Sequence, residues 1–139
     1  MFAKILVAID GSPASEKALA AAVELAGRYE AEVIAIGVAE VPEVVGMMDE
    51  VDELRREAEA HCAAIGQAAE AFAHSRGVGL RSVVVRGHAA DAIVRYAEGE
   101  GVDLVVVGPH GHTRIARFIL GSTSDRLSEH CHCSVLIVK

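Results

Sequence analysis

Three glycines and two hydroxyls carry the chemistry of this chain. In the stretch from Val102 to Thr123, VDLVVVGPHGHTRIARFILGST, Gly108 follows Val107 and Gly111 comes three positions later. Gly121-Ser122-Thr123 follows after nine intervening residues. Glycine reaches φ > 0 and lets a backbone approach a ligand closely, so Gly108 and Gly111 are expected to form a ligand-facing turn; the alternative for Gly108, Gly111 and Gly121 is plain turn and packing glycines. Gly121, Ser122 and Thr123 open a helical pattern. The free N–H groups and partial positive charge of a helix start suit a phosphate. Ser122 has a hydroxyl for a phosphate or for capping the helix, and Thr123 and Ser124 repeat the idea more weakly. A strand end and a helix start would then grip one anion. The local charge agrees: from Leu104 to Ser128, Arg114, Arg117 and Arg126 face only Asp125, a local +2 in a chain of net charge −7.

Other reactive side chains are weaker candidates. His110 and His112 flank Gly111 without a nucleophile or base partner at motif spacing, and are expected to be solvent-facing. Arg114 and Arg117 suit phosphates and equally suit a surface helix. Asp49, Glu50, Asp52 and Glu53 read as a solvated first helical turn that complements the dipole. His130-Cys131-His132-Cys133 resembles a metal cluster. Alternate side chains of an extended chain point to opposite faces, so these four do not easily close one tetrahedron. The same extended spacing disfavours a Cys131–Cys133 disulfide. No metal site is expected.

The elements that must position these groups follow from apolar patterning. Strands are expected at Lys4–Ile9, Glu32–Val38, Leu80–Arg86, Asp103–Val107 and Ser134–Val138. Helices are expected from Pro13 to about Arg28, Asp49–Ser75, Ala89–Glu98 and Ser124–His130. Ser12 is the expected N-cap of the first, with Pro13 at its first position. Ala39 to Met48 lacks a period and is expected to be a loop over the ligand. Alternating strands and helices imply parallel βαβ units with right-handed crossovers. With 139 residues, one domain spanning 1–139 is expected. Hydrophobic residues are 52% and aromatic residues 4%, without tryptophan. Such a core is built of Ala, Val, Ile and Leu, which favours helices packed closely on a parallel sheet. The net negative charge argues against nucleic acid and against an anionic membrane surface as partners. No apolar stretch approaches the roughly 20 residues of a membrane span. Three cysteines in a short chain without a signal-like start point to a reducing cytoplasm.

The spacing G-x2-G-x9-G-S, with the ends Ile5-Leu-Val-Ala-Ile-Asp10-Gly-Ser and Cys133-Ser-Val-Leu-Ile-Val138, resembles the nucleotide-binding branch of the universal stress protein family. One departure stands before the last strand, where Ser134 replaces the proline of the family's common Cys-Pro. The resemblance implies an open five-stranded parallel sheet in the order 3-2-1-4-5, with helices on both faces. Its topological switch then falls between strands one and four, where open α/β sheets bind ligands beyond the carboxyl ends of the strands. Those ends are Asp10 and Val107-Gly108, in agreement with the glycine reading. The resemblance further implies ATP or a related adenine nucleotide as ligand, with Mg²⁺ on its phosphates. Val38 maps onto the adenine-contacting position, and is also a candidate core residue. Asp10 would accept hydrogen bonds from the adenosine or hold the cation; alternatively it closes an Asx-type turn before Ser12 and Pro13.

The sequence has no Walker-type G-x4-G-K-[ST], no lysine near the glycine turn and no Ser-His-Asp arrangement in motif context. A switch or signalling module is therefore expected rather than an enzyme. Slow ATP hydrolysis in the same pocket and a nucleotide-free dimeric interaction protein are the alternatives. The last strand is short, free of proline and expected at a sheet edge. Such edges pair with other chains, so a homodimer through the C-terminal strand is expected.

Overall fold

The structure, a computed structural model, describes residues 1–40, 48–109 and 123–139. Its strands are β1 (Lys4–Ala8), β2 (Glu32–Ala39), β3 (Leu80–Arg86), β4 (Leu104–Val107) and β5 (Ser134–Ile137). They form one parallel sheet in the order β3-β2-β1-β4-β5, the order implied by the family resemblance. The helices are α1 (Pro13–Tyr29), α2 (Met48–Ser75) and α3 (Ala89–Glu100), and residues 123–130 are helical, here α4. Among the described residues no helix is long and apolar enough to cross a membrane.

The uninterrupted apolar runs of the central strands are explained by burial on both faces. Ile5, Val7, Val33, Ala35, Leu104 and Val106 point to one side and pack with Ala18, Leu19 and Ala22 of α1 and Ala69 and Ala73 of α2. Leu6, Ile34, Ile36, Val105 and Val107 point to the other and pack with Ile93 and Ala97 of α3 and Leu127 of α4. The two cores share no side chain, and the sheet is the wall between them. Small residues dominate the helix faces, which lets the helices sit close to the strands.

Differences from the expected boundaries have local causes. The fourth strand starts at Leu104 because Asp103 is used as a side-chain clamp. Its Oδ2 accepts from the Ala3 N–H at 2.8 Å and its Oδ1 from the Lys4 N–H at 3.2 Å. Helix α1 starts as expected, with the Ser12 Oγ accepting from the Ser15 N–H at 3.1 Å and Pro13 in the first turn. It runs on to Tyr29 and is ended by Glu30, left-handed at φ 55°. Helix α3 runs two residues past Glu98 and stops at Gly101, φ 66°.

Candidate functional site

The carboxyl ends of β1 and β4 lie side by side, with Val7 in register with Val106. On the other flank the Ile9 N–H donates to the Ile36 carbonyl at 3.0 Å, extending the β1–β2 pairing toward Asp10 and Val38. Asp10, Val38, Val107 and Gly108 therefore gather at one end of the sheet, at the switch between β1 and β4. Val38 is half-buried against the second core, and Val107 is fully part of it. Gly111, Gly121, Ser122, His110, His112, Arg114 and Arg117 lie outside the described residues, as do positions 41–47 of the expected ligand-covering loop.

Asp10 is built into its turn. Its Oδ1 accepts from the Ser12 N–H at 2.9 Å, and its own N–H donates to the Ser15 Oγ at 3.2 Å. This is the Asx-type turn that the sequence left as one of two readings. The second oxygen, Oδ2, has no hydrogen-bond partner among the described residues. Gly11, the next residue, takes φ +82°. Gly11 and Ser15 were not singled out from the sequence. The x-D-G-S run was the available signal, since an Asp before a Gly marks a turn.

At Gly108 the packing reading holds. Among the described residues, positive φ occurs at Gly11, Gly77, Gly87, Gly101 and Glu30, and Gly108 is not one of them. Its need for glycine is steric. A Cβ at 108 would lie 3.0 Å from the Ala14 Cβ and 3.0 Å from the Ala14 carbonyl oxygen. The end of β4 thus presses directly on the first turn of α1. Gly108 makes a second link through its carbonyl, which accepts from the Ser124 Oγ at 3.4 Å. Ser124 is 6% exposed, and Thr123 before it is half-buried. The end of β4, the start of α1 and the first turn of α4 are therefore joined at one residue.

The chain at Cys131–Cys133 keeps the alternation expected for it, with the two cysteines on one side and His132 on the other. Residues 132 and 133 form a bend, and the Cys131 and Cys133 side chains both pack against the second core. Both are free thiols. Burial, followed by the neighbouring Cys133, pushes the Cys131 thiol up to about 11. Burial likewise raises Cys133. His132 is turned away and meets Glu98, Nε2 to Oε1, at 2.6 Å.

Comparison with known proteins agrees with this architecture. The model of the universal stress protein family matches residues 1–139. Universal stress protein YxiE of Bacillus subtilis is 36% identical, with all of both chains covered. The universal stress protein UspA of Lactobacillus plantarum superposes with a TM-score of 0.89 at 25% identity, covering 99% of this chain and 98% of that one. A universal stress protein solved in complex with cAMP superposes at 0.77 with 28% identity, covering 99% and 97%.

Proposed function

Because the chain belongs to the universal stress protein family, we propose that it binds an adenine nucleotide, ATP foremost, beyond the carboxyl ends of β1 and β4. The observation that carries this reading is the junction at Gly108, where strand end and helix start meet through Ser124. It brings α4 to the same end of the sheet as Asp10. A relative of the same fold is known with cAMP, which supports an adenine nucleotide as the ligand class.

Each group has a distinct task in this reading. Val38 offers an apolar side chain to the base. Asp10, with one oxygen fixed in its turn, keeps Oδ2 for a ribose hydroxyl or for a water on Mg²⁺. That fit is the only one asked of the protein for the cation, which keeps most of its own waters and the phosphate oxygens as ligands. Gly111, Gly121, Ser122 and Thr123 would hold the phosphates by N–H and hydroxyl groups. The bound nucleotide acts as a signal or conformational switch in a cytoplasmic homodimer, without dedicated catalytic groups.

Mass spectrometry of nucleotide co-purified with gently isolated protein tests the ligand class directly. Gly121→Val places a branched side chain where a phosphate must approach the backbone. ATP affinity is expected to fall at least tenfold, about 1.4 kcal/mol, with the fold retained. Unchanged calorimetric affinity in the folded variant would place the phosphates elsewhere.

A further inference from the structure

A cavity of about 430 Å³ opens between the end of β3 and the outer face of α3. Its lining divides by burial. Val85, Ala92 and Tyr96 are half-buried, and Val85 and Tyr96 pack against the second core. His88, Asp91 and Arg95 are exposed at its edge. His88, Ala92, Arg95 and Tyr96 share one side of the helix because residues three, four and seven apart are stacked on the same face. That side is distinct from the buried one, which is Ala90, Ile93 and Ala97.

The charges decide what such a cavity takes. Arg86, also in the lining, is held by an ion pair to Glu59. Arg95 has no ion pair or side-chain hydrogen bond among the described residues, although Asp91 stands one helical turn before it. His88, the N-cap of α3, makes no side-chain cap hydrogen bond. The capping acceptor comes instead from Glu40, whose Oε1 takes the Ala89 N–H at 2.7 Å. Glu40 thus already fills the first capping place of this helix, so a ligand must find its charged partner at Arg95. The Arg95 guanidinium, with no ion pair among the described residues, presents a planar fork that matches a carboxylate through two parallel hydrogen bonds. Asp91 beside it disfavours a second negative charge, which counts against a phosphate dianion.

We propose that this cavity, which adjoins the crevice because Val85 is the register partner of Val38, takes a small organic carboxylate with a flat or apolar body. Arg95 and His88 meet the carboxylate, and Val85, Ala92 and Tyr96 meet the body. Its volume falls within the range of small-molecule sites, roughly 300–1,000 Å³. The proposal stands whether or not the crevice binds a nucleotide.

Titration of the full chain with phenylacetate, followed by amide NMR, tests it. Saturable shifts are expected at residues 85–96. Arg95→Ala is expected to weaken binding at least fivefold while the thermal transition stays in place, because Arg95 is exposed. Arg95→Lys is expected to lie between the two, since it keeps the charge and loses the fork. Shifts that fail to saturate, or that centre on the ends of β1 and β4, would overturn the site. So would an Arg95→Ala variant that binds as the wild type does. Phenyl phosphate binding more tightly than phenylacetate would overturn the carboxylate assignment.

Discussion

Gly108 shows how one missing side chain fixes the geometry of a site. With Ala14 atoms 3.0 Å from where its Cβ would be, even alanine at 108 forces apart the end of β4 and the start of α1. The obstacle includes the Ala14 carbonyl, which is backbone and cannot rotate aside. Gly108→Ala is therefore expected to destabilise the fold by about 1–3 kcal/mol, the usual cost of overpacking, as read from urea unfolding. A variant as stable as the wild type would show that the two segments part easily. The sequence located this glycine and left its reason open between a ligand turn at positive φ and plain packing; the φ is not positive, and packing on Ala14 is what the structure shows. A glycine needed for positive φ and one needed for close packing look the same in a string of letters. The neighbour that distinguishes them, Ala14, stands 94 positions earlier.

Individual elements were legible wherever the cause was local. Ser12 and Pro13 announce the start of α1, and β3 spans Leu80–Arg86 as expected. The end of α1 was harder to read, because a left-handed residue there is normally glycine and this chain uses Glu30. A left-handed conformation costs a non-glycine residue about 1–2 kcal/mol, and glycine gives back about 0.5–1 kcal/mol through its freer unfolded state. Glu30→Gly is thus expected to stabilise by about 0.5 kcal/mol, as a small rise in the urea midpoint; a fall in midpoint would mean that the Glu30 side chain has a compensating role. The cap of α3 was not legible either, since Glu40 reaches it from 49 positions away. At β5, Val135 and Ile137 pack against the second core, while Leu136 is 36% exposed. A charge at Val135 would damage the core, which makes Leu136→Lys the cleaner test of dimer pairing through this strand. Sedimentation is expected to show a weaker dimer with the fold intact. A wild type that is monomeric at micromolar concentration would remove the proposal.

At the scale of the whole molecule, two-sided burial made the parallel sheet readable from apolar runs alone, but the strand order came only from the family resemblance. Pattern cannot report which strands are neighbours, because every central strand presents the same apolar faces. A ligand that binds only the folded chain raises its stability by mass action. ATP with Mg²⁺ at 100 times its dissociation constant is expected to add about 2.7 kcal/mol, seen as a higher melting temperature. A transition unmoved by millimolar ATP, ADP and AMP would favour a nucleotide-free interaction protein. The placement of β1 has a further consequence, in the order of biosynthesis. One of its edges pairs with β2, which soon follows it along the chain, and the other pairs with β4. The clamp that seats that second edge joins Lys4 to Asp103, 99 residues apart. On the ribosome, β1 emerges well before β4, and that second edge can be paired only once β4 has followed. Until then its open side is an apolar strand edge, the kind that recruits a chaperone or a wrong partner.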